Sequence, residues 1–177
     1  DFYLEQGVHG ITVLGVMGEA QKLTDSEQIN LMKHYINRIN DRVPVLVGVS
    51  NPGIDNLVSL SQASMDAGAQ GVMIAGIPSL KTDEQILGYF GQVMAKLGNE
   101  TPLCLQDYPP TTTVYFSTTV INQLIKDYPS IKIFKHEDCP GHRKLTKLRN
   151  APKTDGLRRV SILTGNGGLY VPQELRR

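Results

Sequence analysis

Four consecutive residues, Lys135-His136-Glu137-Asp138, follow the short run Ile131-Lys132-Ile133-Phe134. That run is β-branched and apolar, the pattern of a buried strand. The four polar residues therefore stand at the end of a strand. A lysine amine in water is almost fully protonated near neutral pH and is a poor nucleophile. Partial burial favours its neutral form, and a neutral amine attacks a carbonyl carbon to give a Schiff base. The structural alternative for Lys135 is a solvated ammonium at a strand end. Adjacent residues on a strand face opposite ways, so at most two of the four share one side with Lys135. Outward packing against helices or loops is the structural alternative for His136 and Glu137.

Three other constellations could carry chemistry. Gly15-Val16-Met17-Gly18-Glu19 lies between a strand and a helix, where free backbone N–H groups can bind a carboxylate or phosphate. An ordinary tight turn explains it equally simply, and it lacks the Lys-Ser/Thr ending of a nucleotide-binding P-loop. Gln106-Asp107-Tyr108-Pro109-Pro110-Thr111-Thr112-Thr113 is rich in amides and hydroxyls. Alternation puts Cys104, Gln106 and Tyr108 on one side, and a proline-stiffened loop whose threonines cap the next helix is the competing reading. In Thr164-Gly165-Asn166-Gly167-Gly168 the glycines can form a phosphate cup or leave room for a substrate. No basic residue sits beside them, which favours the second. His9, His34 and His142 have no metal-ligand spacing with a partner and read as structural.

The elements that must position these residues alternate along the chain. Strands are predicted at Gly10 to Leu14, Pro44 to Val49, Gly71 to Ala75, Thr101 to Gln106, Ile131 to Lys135 and Val160 to Thr164. Helices follow each: from Thr24, with Glu27 completing a capping box; from about Ile54 to Ala67; from Thr82, with Gln85 completing another; from Ser117 to about Asp127; from His142 to about Asn150; and from Tyr170 onward. Short strands that are apolar on both faces and separated by single helices are parallel, so the fold class is α/β. A doubly wound sheet and a (β/α)8 barrel both place their site at the strand ends where all four constellations fall. Six uninterrupted units favour the barrel. A whole barrel takes roughly 250 residues, so residues 1–177 are expected to form a partial barrel, a single domain covering about strands 2 to 7. The opening reads as the last turn of a helix (Phe2, Leu4) capped by Gly7, and the end falls inside a new helix, the pattern of a piece of a longer protein.

Composition narrows the function classes. Of 177 residues, 40% are apolar and 20% charged, with a formal net charge of +1. That balance fits a globular protein and gives no electrostatic case for nucleic acid or an acidic membrane. No apolar run is long enough to cross a bilayer. The two cysteines, Cys104 and Cys139, form neither a metal motif nor a disulfide framework, which suits a cytoplasmic location.

The Gly15–Glu19 turn, the Pro102–Pro109 strand and loop, the Ile-x-x-Lys ending at Lys135 and Leu163-Thr164-Gly165 occur together in one order and spacing. In this the chain resembles the dihydrodipicolinate synthase / N-acetylneuraminate lyase family of class I aldolases, over essentially its whole length. The resemblance implies a (β/α)8 barrel, a homotetramer or homodimer, and no cofactor or metal. It makes Lys135 the Schiff-base lysine, condensing with pyruvate or another 2-oxo acid. It gives the substrate's carboxylate to Val16, Met17 and Gly18, and lines the pocket with Gly165. Departures from the family pattern are concentrated in proton handling. Val16 and Met17 stand where the family carries two hydroxyl residues, Gln106 where it carries a phenol, and Thr111 where some members carry an arginine. Ile77 or Pro78 replaces a tyrosine donated to a neighbouring subunit. Gln106 accepts and donates hydrogen bonds but transfers no proton at ordinary pH.

Two functions of different class follow. The first is a divergent Schiff-base lyase or aldolase acting on pyruvate or a related 2-oxo acid. Lys135, Gln106 and Tyr108 are its expected catalytic residues, with Tyr108, Glu137, a substrate-borne carboxylate or water replacing the lost acid/base. The alternative is a catalytically altered barrel that binds a small carboxylate as a sensor or partner protein.

Overall fold

The computed structural model describes all residues 1–177, in two compact units, residues 1–74 and 75–177. The first unit opens with a short helix α1 (Phe2–Glu5), followed by Gly7 in a left-handed conformation, φ 75°. Strands β1 (Ile11–Val13), β2 (Val45–Gly48) and β3 (Gly71–Ala75) pair in parallel, Val13 opposite Val47 and Val47 opposite Val72. Between them run α2 (Asp25–Ile39) and α3 (Ile54–Asp66). The capping box that starts α2 forms as its spacing predicts: Thr24 Oγ1 accepts from the Glu27 N–H, and the Glu27 carboxylate accepts from the Thr24 N–H. Met32, Ile36 and Ile39 form the buried stripe of α2, while Val45, Val47 and Val72 fill the sheet.

The second unit carries α4 (Asp83–Leu97), β4 (Leu103–Asp107), the short helix α5 (Pro109–Thr112), α6 (Thr118–Asp127), β5 (Ile131–His136), α7 (His142–Thr154), β6 (Ser161–Thr164) and α8 (Val171–Glu174). Thr82 with Gln85 closes the second predicted capping box, and Ser117 caps α6. Strands β4, β5 and β6 are again parallel. All five residues of β4 are buried, the first three apolar and the last two, Gln106 and Asp107, polar. The helices supply the rest of the core. Phe90 of α4 packs against Phe116 with ring centroids 5.8 Å apart, and Val120, Ile121, Leu124 and Ile125 turn one face of α6 inward. The α/β class and the strand–helix alternation are those expected from the pattern. Two local elements differ. The segment after β4 winds into α5 because Pro109 takes the first helical position, where its missing N–H costs nothing. Helix α7 runs past Asn150 through Pro152 to Thr154, although a proline inside a helix gives up one intrahelical hydrogen bond.

A shift of pairing near the start of β5 decides which side chains meet. Leu103 lies opposite Ile131 but Cys104 lies opposite Ile133, so Lys132 is an extra residue in β5. From there Gln106 pairs with Lys135 and Asp107 with His136. Without the extra residue Gln106 would face Phe134, and every later side chain would turn to the other side.

Two outcomes check this core. Phe90 is fully buried, and Phe90→Ala is expected to lower unfolding free energy by about 3–5 kcal/mol in denaturant titration. Cys104 is buried and Cys139 exposed. Burial pushes the Cys104 thiol up to about 12, against a smaller opposing pull from Lys135. Because the thiolate is the nucleophile, iodoacetamide at about pH 8 should label Cys139 and spare Cys104 in the folded protein, as read by peptide mass spectrometry. Equal labelling would contradict the placement of β4.

Candidate active site

The ends of β4 and β5 sort their polar side chains by alternation. Gln106, Lys135 and Glu137 point to one face, Asp107 and His136 to the other. The first face holds one charge pair. Lys135 Nζ lies 3.1 Å from Glu137 Oε1, with side chains 23% and 5% exposed respectively. Gln106 Nε2 donates to the same oxygen at 2.6 Å. The other oxygen, Oε2, accepts the Asn166 backbone N–H at 3.1 Å, and the Asn166 amide donates to the Glu137 carbonyl at 3.1 Å. A carboxylate taken out of water needs this much: a cation and hydrogen bonds to both oxygens.

Gly165 explains how the carboxylate fits. A Cβ on Gly165 would overlap Cγ, Cδ and Oε2 of Glu137. The glycine after β6 thus makes room for a side chain of the protein itself. Its N–H donates to the His136 carbonyl at 2.9 Å, which ties the β6 end to the β5 end.

The opposite face is a second buried network. Lys144 of α7 donates to Asp107 Oδ2 and to Asp138 Oδ2, each at 2.7 Å. Burial raises the Asp107 carboxyl above the ordinary range, with Lys144 pulling it back down. His136 Nδ1 pairs with Glu174 Oε1 at 2.9 Å, and Thr164 Oγ1 donates to Glu174 Oε2 at 2.7 Å. The turn into α7 closes over the His136 ring, where a Cβ on Gly141 would overlap Nε2. His136 therefore packs outward among helices, while Glu137 faces Lys135. Strand alternation separates these two, with Glu137 two residues from Lys135 and His136 next to it. Lys144 and Glu174 were not legible as partners, since each lies in a segment whose docking the sequence leaves open.

Of the residues expected at the site, the structure brings Lys135, Gln106 and Gly165 together around Glu137. Tyr108 is not joined to them by a hydrogen bond. The extended backbone breaks at Tyr108, ψ 65°, where the chain turns into α5, and alternation no longer carries its side chain along the strand face. In the first unit, Val16–Gly18 form a single 3-10 turn followed by Glu19 in a left-handed conformation. The Gly18 and Glu19 N–H groups are spent on the Gly15 and Val16 carbonyls. Those of Val16 and Met17 stand at the turn's start, where no intrahelical acceptor exists. The Met17 side chain is 88% exposed. Of the other histidines, His9 and His34 are exposed and His142 is half-buried.

Comparison with known proteins agrees with this frame. The profile of the dihydrodipicolinate synthetase family matches residues 1–157. A 4-hydroxy-tetrahydrodipicolinate synthase of Methanocaldococcus jannaschii is 27% identical over 173 residues, 97% of this chain and 57% of the relative. One from Persephonella marina is also 27% identical over the same share. A crystal structure of dihydrodipicolinate synthase from Rhodopseudomonas palustris is 48% identical, with a TM-score of 0.95, covering 99% of this chain and 58% of that one. The chain thus spans rather more than half the length of the relatives it matches. No helix is long and apolar enough to cross a membrane. With 157 of 177 residues under the family profile, and a lysine at the end of β5 in a chain of alternating parallel strands and helices, this chain belongs to the dihydrodipicolinate synthetase family.

Proposed function

We propose that this chain carries the lysine of a class I, Schiff-base-forming lyase that acts on pyruvate or a related 2-oxo acid. The observation that carries the reading is the Lys135 side chain, 23% exposed, whose amine lies 3.1 Å from a buried carboxylate. An attacking amine must first lose a proton, and the Glu137 oxygen within hydrogen-bond reach is where that proton can go. The neutral amine adds to the ketone carbon, water leaves, and the resulting iminium draws electrons from the neighbouring carbon. Family membership supports the 2-oxo acid as substrate. It also supports the Val16–Gly18 turn, through the N–H groups of Val16 and Met17, as the holder of a substrate carboxylate, a complete (β/α)8 barrel as the scaffold, and a homotetrameric or homodimeric assembly in the cytoplasm.

The departures from the family pattern belong to this reading. Gln106 takes the place of a phenol, and its amide is committed to orienting Glu137. A dihydrodipicolinate synthase in the strict sense is therefore a weaker fit than a branch with its own 2-oxo acid. The binding-only alternative rests on the same substitution, since an amide transfers no proton. It predicts that a 2-oxo acid raises the melting temperature without any covalent bond.

The test is reductive trapping. The full-length protein is incubated with a panel of 2-oxo acids and borohydride, then digested and read by mass spectrometry. An adduct on the Lys135 peptide is the expected result. Lys135→Arg keeps a cation beside Glu137, so its melting temperature should stay close to that of the unsubstituted protein while the adduct disappears. Absence of an adduct with every acid of the panel would remove the lyase reading. Ligand-dependent stabilisation persisting in Lys135→Arg, without any adduct in the unsubstituted protein, would establish the binding-only one.

A further inference from the structure

We infer that Glu137 is the residue that moves protons at this site, taking over a task that Gln106 cannot perform. The inference rests on the Schiff-base reading and adds to it the group that makes and breaks the bond to hydrogen. Glu137 is the ionisable side chain in contact with the Lys135 nitrogen, and Oε1 is the atom that faces it. Its orientation is fixed from three sides: Gln106 donates to Oε1, the Asn166 N–H donates to Oε2, and Gly165 leaves the space in which the carboxylate lies. The side chain is 5% exposed, so bulk water does not compete for its proton. A counterion for a half-buried lysine needs only a negative charge nearby. This carboxylate is also aimed, with one oxygen toward the nitrogen to which the substrate carbon would bond.

The proton balance closes with these groups alone. The Lys135 ammonium gives a proton to the Glu137 carboxylate, and the neutral amine adds to the ketone carbon. A shift of one proton from nitrogen to oxygen gives the carbinolamine. The Glu137 carboxylic acid then protonates the hydroxyl, which leaves as water, so that the iminium forms and the carboxylate is regenerated. The same carboxylate removes a proton from the carbon next to the iminium, yielding the enamine and a protonated Glu137. Return of that proton, or attack of the enamine on an electrophile, completes either direction of a lyase reaction. No oxidant, metal or cofactor enters.

Two readings on the full-length protein separate Glu137's role from that of Lys135. Borohydride trapping of pyruvate reports the Schiff base. Exchange of the pyruvate methyl protons for deuterium, followed by proton NMR in heavy water, reports the enamine. Glu137→Gln keeps the shape and cannot accept a proton. It should slow exchange by on the order of 10²–10⁴-fold, while the yield of trapped adduct after long incubation falls far less. Glu137→Ala opens a space beside Gly165 that formate can enter, and added formate should restore exchange in proportion to its concentration. Should Glu137→Gln unfold, Glu137→Ala with and without formate gives the same reading. Exchange as fast in Glu137→Gln as in the unsubstituted protein would overturn the assignment. So would equal losses of exchange and trapping with no formate rescue, since that is the behaviour of a counterion. Failure of the unsubstituted protein to trap any 2-oxo acid is a different result: it removes the Schiff-base reading and this assignment with it.

Discussion

A carboxylate buried beside a lysine at the end of β5 is the interaction on which the rest of this site depends. Removing Glu137 from water costs several kcal/mol unless the charge is paired and its oxygens are hydrogen-bonded. Each neighbour reads as an answer to that cost. Lys135 supplies the opposite charge, Gln106 and the Asn166 backbone N–H supply the hydrogen bonds, and Gly165 supplies the volume. The extra residue in β5 at Lys132 is what makes the arrangement possible, because it turns Lys135 to the face of Gln106. A second set of charges on the opposite face, Asp107 and Asp138 on Lys144 and His136 on Glu174, holds the same strand ends against α7 and α8. Alternation along two strands thus separates a network that can react from one that anchors it.

Much of the scaffold was legible because its signals are local. Thr24 with Glu27 and Thr82 with Gln85 are three residues apart, and a capping box needs nothing else. The strand–helix alternation and the position of Lys135 follow from periodicity and from motif order in the same way. Legibility ended where an outcome depended on pairing register. Alternation puts Glu137 on the face of Lys135, but that the pair meets Gln106 depended on one extra residue upstream in β5. Tyr108 was expected beside Gln106 on the strength of alternation, which holds only while the chain stays extended, and Pro109 starts a helix at that point. Gly165 was expected to leave room for a substrate, whereas the nearest atoms it accommodates belong to Glu137.

The family pattern and the local chemistry fit together through charge. The family pattern that the sequence resembles implies a phenol where Gln106 stands, and with an amide there the proposed lyase needs another proton carrier. A carboxylate two residues beyond the lysine, on the same strand face, lies close enough to the reacting nitrogen to take over. Under the proposed chemistry, a fixed negative charge beside the iminium would steady that cation and disfavour a second substrate carboxylate nearby. The proposed divergent branch with its own 2-oxo acid fits this charge arrangement better than the binding-only alternative does.

The most direct measurement is a crystal structure of the full-length protein after reduction with borohydride in the presence of pyruvate. The account predicts continuous density from Lys135 Nζ to the substrate's second carbon, with its methyl carbon within about 3–3.5 Å of a Glu137 oxygen, near-attack distance. Density for pyruvate bound away from Lys135, or bonded to it with the methyl group turned from Glu137, would contradict it.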